Sequence, residues 1–275
     1  IAHVMFYYHV SPQEPAATWL AQCTVPVAPL SPQVAAEGFG RDDLRLAYFD
    51  CTLAWLYPDG GRSPGWYAFY RGAETEGDFV QAHRDLARTT YEQRTPREVP
   101  CFSIDQWSPA ASVHVMDSVR SGPVTIAPSD WTPARVESDG EVVPPPLSLS
   151  GPLTFLGYRS EANTAKPGET LTVWTYWSVA GAPDDPLSLM GHLLNSAGQP
   201  VAVSDGLGVP IESWQVGDVI VQRHTLGIPP HATPGAYWVQ TGAYTLTDFQ
   251  RLAITPGKEP VADRIVLTRL EVVSQ

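Results

Sequence analysis

From about residue 148 onward, apolar and polar positions alternate in short blocks. These are Leu153–Ser160, Glu169–Val179, Leu187–Asn195, Val201–Ser204, Val219–Ile228, Ala236–Leu246 and Asp263–Val272, each bounded by Pro, Gly, Asn or Asp. A period of two sends successive side chains to opposite faces of a strand. Seven such strands with turn residues between them predict an antiparallel β-sandwich of Greek-key, immunoglobulin-like type over 148–275. The same period assigns faces: Leu171, Val173, Thr175 and Trp177 inward on one strand, Tyr237, Val239, Thr241 and Ala243 inward on another. The turn Lys166-Pro167-Gly168-Glu169 and its echo Thr233-Pro234-Gly235-Ala236 each open one of these strands.

The front of the chain has a mixed pattern. Ile1–Val10 is an apolar, aromatic run suited to a strand. Ser11-Pro12-Gln13-Glu14 reads as a capping box, starting a short helix through about Gln22. Strands are expected at Leu44–Asp50, Thr52–Tyr57 and Gly65–Tyr70, the last two joined across Pro58-Asp59-Gly60-Gly61. Phe79, His83, Leu86 and Thr90 recur at helical spacing, which predicts an amphipathic helix over about 75–93. Cys101–Trp107 closes the segment as a strand. Residues 1–117 are therefore expected to form a small α/β domain. Residues 118–147 carry Pro123, Pro128, Pro133 and the run Pro144-Pro145-Pro146, and read as a proline-rich linker or extended crossover. The whole is an α+β, two-domain chain.

Composition narrows the function classes. Only 17% of residues are charged, against 43% apolar, with 27 Pro and 22 Gly, which favours strands and turns over long surface helices. The net charge of −12 argues against nucleic acid as a partner and against attraction to anionic lipid headgroups. No stretch reaches the ~20 apolar residues that a membrane helix needs. The chain opens without an initiator Met or signal peptide, and is expected to be a piece of a longer polypeptide or a processed product.

Cys23, Cys51 and Cys101 are expected as buried apolar residues, with a Cys51–Cys101 bridge as the alternative. None has metal-ligand spacing, so no metal is expected; His192, His224 and His231 read as hydrogen-bonded or turn histidines. Asp184, Asp185 and Asp205 offer carboxylates that could hold calcium, but they lack the glycine-spaced repeat of a dedicated loop. No nucleophile elbow and no phosphate-cradling loop occurs, and no cofactor is expected. Any carboxylate pair among 29 acidic residues is uninformative about glycoside hydrolysis. The chain itself is expected to carry no catalytic activity.

Aromatic residues are the candidate surface feature. Trp174 and Tyr176 fall on the outward face of one strand, Trp238 and Tyr244 on the outward face of another. Such rows offer π-surfaces to the C–H faces of sugar rings, or else they cover the linker, the front domain or a partner subunit. If the two strands lie in opposite sheets, the pairs cannot form one groove. Trp214, in a loop near Asp205 and Asp218 in sequence, either borders a polar pocket or plugs the open end of the sandwich.

The run Ala165-Lys166-Pro167-Gly168-Glu169-Thr170-Leu171-Thr172-Val173-Trp174-Thr175-Tyr176-Trp177 gives a family comparison, continued by Gly191–Asn195, Ser204-Asp205-Gly206, Ser213–Asp218, Pro234–Tyr237, Gly242-Ala243-Tyr244 and Arg251-Leu252. Together they resemble the C-terminal soluble regions of bacterial membrane glycosyltransferases of the dolichyl-phosphate-mannose protein mannosyltransferase (GT-C) class. Gly38–Arg45, Tyr48-Phe49-Asp50 and Gly65-Trp66-Tyr67 resemble the small α/β module that precedes the sandwich in such proteins. The resemblance implies a non-catalytic, extracytoplasmic accessory region, at the cell surface or periplasm-facing side, joined to a membrane only through an upstream segment. It implies a glycan or a polypeptide as partner at the sandwich surface, with oligomer formation open. The catalytic acidic residue of that class has no counterpart here, so no site residue is carried over. The rival readings are an interaction subunit of an extracytoplasmic assembly and a carbohydrate-active enzyme.

Overall fold

The computed structural model describes residues 17–97, 99–117, 119, 122–128, 130–133, 140–255 and 262–274. The expected strand at Ile1–Val10 and the capping box at Ser11–Glu14 lie outside them. The chain is mostly β with several sheets, and it divides into two compact units: residues 1–116 with 208–214, and 117–207 with 215–275.

The first unit contains β1 (Trp19–Cys23), α1 (Pro32–Phe39), β2 (Arg45–Phe49), β3 (Ala54–Tyr57), β4 (Gly65–Tyr70), α2 (Asp78–Arg84), β5 (Arg88–Arg94) and β6 (Pro100–Trp107), with α3 (Ser112–Asp117) at its end. One sheet runs β2-β1-β4-β6-β5, parallel across its first three strands and antiparallel after. Helix α1 starts where the Ser31 hydroxyl accepts from Val34 N–H and Pro32 needs no amide partner. It stops at Gly40, whose φ of 63° lets the amide turn back onto Ala36 and Glu37. Buried Gln22 clamps the start of the connection, donating to Leu30 O and accepting from Leu30 N. At Gly65 the Trp19 ring lies where a Cβ would stand, at 2.1 Å, so this paired position admits no side chain.

Two helix expectations fail here. Trp19–Cys23 is a fully buried strand between β2 and β4, so pairing on both sides overrides the helix read through Gln22. The helix expected over 75–93 ends at Arg84; Phe79, Val80, His83 and Arg84 are buried, and beyond Leu86 the run Thr89-Thr90-Tyr91 pairs with β6 as an edge strand. The cysteine expectations fail as well. Cys23 bonds Cys51, with a Cα–Cα distance of 5.2 Å, and Cys101 is free. Parallel pairing sets Cys23 beside Phe49, which brings the end of β2 to the end of β1, whereas β4 separates β1 from the strand bearing Cys101.

The second unit contains β7 (Val124–Ala127), β8 (Glu141–Val143), β9 (Leu147–Ser148), β10 (Leu153–Ser160), β11 (Thr164–Ala165), β12 (Thr170–Val179), β13 (Leu187–Leu194), β14 (Pro200–Val203), β15 (Val219–Gly227), β16 (Gly235–Thr245) and β17 (Arg264–Val272). All seven strands expected from the alternation are present, within two residues of their expected ends. Strands β15-β12-β10-β9 lie side by side, and β14-β13-β16-β17-β7-β8 form a larger sheet. The chain changes sheet between β12 and β13, between β14 and β15, and again between β15 and β16. The result is sandwich-like: Leu171, Val173, Thr175, Trp177, Tyr237, Val239, Thr241 and Ala243 are all buried. Gly191 on β13 faces the His224 ring on β15 so closely that a Cβ would fall 2.3 Å from Nδ1.

Residues 118–147 are not merely a linker. Val124-Thr125-Ile126 alternates like the other strands, and β7 adds to the edge of β17 with Ile126 opposite Ile265, then pairs with β8. Prolines 123 and 128 bracket this strand and do not interrupt its ladder.

Candidate functional site

Five aromatic residues were candidates for carbohydrate contact, and the structure separates them. Trp174 and Tyr176 do share the non-core face of β12, yet they are 3% and 0% exposed. Trp174 stands in register between Arg159 and Arg223, and the Arg159 guanidinium lies 4.5 Å over its ring. Neither ring is an exposed platform, and at Trp174 long arginine stems from neighbouring strands cover what alternation leaves outside. Trp214 groups with the first unit. It is buried there, its indole N–H donating to Val209 O, in a segment whose Ser213 carbonyl and hydroxyl accept from Arg45 and the Tyr48 amide. Asp218, its neighbour in sequence, belongs to the second unit and accepts from the Gln215 amide.

Trp238 and Tyr244 remain, both half-buried on the outer face of β16 in the larger sheet. They lie in the opposite sheet to Trp174 and Tyr176, so the four rings cannot make one groove.

Trp238 borders a cleft of about 490 Å³, inside the range usual for ligand sites. A turn closed by the Trp131 amide onto Pro128 O brings Trp131 over the sheet, where it packs with Ala127, Leu194, Val266 and Trp238. Thr125, Thr268 and Arg269 supply polar groups, and Pro123 and Pro133 stiffen the walls. Trp131 is 2% exposed, and its indole N–H is buried with no hydrogen-bond partner among the described residues. Leaving such a donor unpaired costs about 1–3 kcal/mol.

In the same unit, Asp205 gathers several donors. Its carboxylate accepts from the Gly191 amide at 3.1 Å, from His192 Nε2 at 2.9 Å and from the Tyr244 hydroxyl at 3.3 Å. Burial tends to raise the Asp205 pKa, but the hydrogen bonds from His192, Gly191 and Tyr244 and the His192 charge outweigh it and hold the carboxyl below the usual range. His192 Nδ1 meets Gln240 Nε2 at 3.0 Å. Asp205 is therefore occupied by side chains and a backbone amide. Asp185 accepts from the Thr247 hydroxyl, and no group of three acidic, His or Cys residues is placed to hold a metal among the described residues.

Trp131 and Arg269 were absent from the sequence reading. Trp131 lies in a stretch whose composition reads as a linker; a lone Trp between Pro128 and Pro133 is the signal against that, since a solvated linker rarely carries one. Arg269 carried no signal before its opposition to Trp238 was known. No protein-family model matches this chain, and no curated protein matches it.

Proposed function

We propose that this chain is a non-catalytic, extracytoplasmic binding region that engages glycan through the Trp131–Trp238 cleft. The observation that carries this reading is the half-buried Trp238 indole at an open cleft whose rim also carries Thr125, Thr268 and Arg269. Sugar rings present an apolar C–H face to an aromatic wall and hydroxyl oxygens to a donor, and this pairing of surfaces meets both needs.

Three further attributes belong to the same reading. The second unit is an immunoglobulin-like domain, supported by the chain's exchange between sheets: β10, β12 and β15 in one, β13, β14, β16 and β17 in the other. The two units are separate domains, the first a small α/β layer. The location is outside the cytoplasmic membrane, at the cell surface or periplasm-facing side, supported by the Cys23–Cys51 disulfide. Among the described residues no helix is long and apolar enough to cross a membrane. The glycosyltransferase resemblance fits this picture as an accessory part, with membrane attachment supplied upstream.

The test is a titration of the purified chain with mannose-, glucose- and N-acetylglucosamine-based oligosaccharides, followed by tryptophan fluorescence and calorimetry. Binding that Trp238→Ala weakens about tenfold or more, with the circular dichroism unchanged, is the expected result. Silence across the panel ends the proposal. Location has its own check, since material isolated from outside the cytoplasmic membrane should carry the Cys23–Cys51 bond by mass spectrometry; free thiols there would count against it.

A further inference from the structure

We propose that the ligand is a neutral, linear glycan several sugars long, laid along the outer face of the larger sheet from Trp238 to Phe249. This rests on the glycan reading of the Trp131–Trp238 cleft and extends it to a second contact.

Neighbour contacts link the two ends. His192 on β13 lies opposite Gln240, hence diagonal to Trp238 on β16, a spacing of about 7–8 Å between strands. His192 joins Asp205 at 2.9 Å, and Asp205 joins the Tyr244 hydroxyl at 3.3 Å. The Tyr244 ring then meets Phe249 at a centroid distance of 6.3 Å. Trp238, His192, Asp205, Tyr244 and Phe249 are half-buried or exposed, while Gln240 between them is 2% exposed. Trp238 and Tyr244 are six residues apart on one strand, about 20 Å at the usual rise. An aromatic contact at each end and polar groups between them suit a ligand that repeats, with apolar ring faces and hydroxyl edges in alternation.

Phe249 supplies an independent observation. It is 72% exposed, and its φ is 59°, a left-handed conformation that costs a bulky L-residue about 1–2 kcal/mol. The turn enforces it: the Thr245 amide donates to Gln250 O, the Phe249 amide donates to Thr245 O, and the Asp248 carboxylate accepts from the Gln250 amide and the Thr245 hydroxyl. A rigid turn holding a phenyl ring in water at a conformational cost presents that ring to a ligand. The ligand's charge follows from the surroundings. Asp205 lies in the middle of the strip, the net charge is −12, and Arg269 beside Trp238 is paired to Glu271 at 2.9 Å. An acidic polysaccharide would meet repulsion there.

The experiment measures affinity against chain length for neutral oligosaccharides from two to eight sugars, in the full chain and in Phe249→Gly. Glycine suits the left-handed position, so this variant folds at least as well as the parent. Affinity should rise with length and gain roughly tenfold once both ends are reached, the worth of one aromatic contact. Phe249→Gly should abolish that gain and leave disaccharide binding unchanged. Disaccharide binding with no length dependence overturns this inference and spares the cleft; no binding at any length overturns both. Preference for an acidic oligosaccharide, or self-association of the chain lost in Phe249→Gly, would also overturn it, the latter assigning the strip to a second copy.

Discussion

Strands β12 and β16 read alike and end differently. Each alternates, each turns a threonine and apolar neighbours inward, and each sends two large aromatic residues outward. On β12 the outward pair is sealed, with Trp174 between Arg159 and Arg223. On β16 the outward pair stays half-open, Trp238 at a cleft and Tyr244 beside Asp205. Period two fixes which side of a sheet a residue occupies. Exposure is decided by what neighbouring strands and loops lay over that side, and this information sits far away in sequence. The inward threonines differ too. Thr175 accepts the Trp177 indole N–H at 2.8 Å and bonds His224 Nε2 at 3.0 Å, whereas Thr241 donates to the Met190 carbonyl. The smaller sheet thus carries a titratable group in its core network.

The most direct way to break this comparison is a matched pair of truncations. Trp174→Ala should cost about 3–5 kcal/mol of stability, as removal of a sealed tryptophan does. Trp238→Ala should cost about 1 kcal/mol, since its ring is only partly buried, and should act on ligand binding instead. Urea unfolding of the two variants gives both numbers. Equal losses would mean that the two faces are covered alike, and would remove the structural basis of the cleft.

The same contrast explains what was legible from the amino acids. The seven strands of the sandwich and their inward residues were readable because each strand carries its own signal in a few consecutive positions. The first unit was less readable. Ser11–Glu14 and the spacing of Phe79, His83, Leu86 and Thr90 are local helix signals, but residues 19–23 are a strand held by partners tens of residues away, and 88–94 a strand paired with β6 across a hairpin. Cysteine pairing was hidden for that reason: it depends on β2 and β4 flanking β1, which no local pattern states. At the candidate site, Trp238 and Tyr244 were visible on their strand. Trp131 was hidden because proline-rich composition reads as a spacer until β7 and its turn are seen to dock.

Acid should sharpen the comparison. Burial pushes the His224 pKa down to about 4 from 6.5, against the opposing hydrogen bond to Ser204 O and the Asp205 charge, with the His192 charge adding to the depression. The folded state therefore holds fewer protons than the unfolded chain between these values. This contribution is complete above about pH 6.5, is lost as the pH falls toward 4, and changes no further below that, for a total of roughly 3 kcal/mol. Asp205, whose pKa is lowered, contributes above its unfolded value of 3.8 and loses that contribution only at more acidic pH. His224→Gln should flatten the stability profile between pH 6.5 and 4 and leave the steeper acid limb in place. A profile from the variant that parallels the parent would show that the core histidine is not what acid titrates.

The smallest expected effect contrasts two glycines. At Gly191 an added Cβ would stand 2.3–2.7 Å from three atoms of the His224 side chain. That ring is held at both nitrogens, by Thr175 and by Ser204 O, and cannot swing away without losing a buried hydrogen bond. Gly191→Ala should cost about 1–3 kcal/mol, the range for forced overpacking. At Gly242 on β16 the added Cβ would meet the terminal methyl of Met190 at 2.5 Å, the free end of an unbranched side chain. Gly242→Ala should therefore cost less than about 1 kcal/mol, because methionine repacks where a doubly bonded imidazole does not. Thermal melts of the two variants decide it. If Gly242→Ala is the more damaging, the outer face beside Tyr244 is packed as tightly as the core, and the half-open character assigned to β16 does not hold.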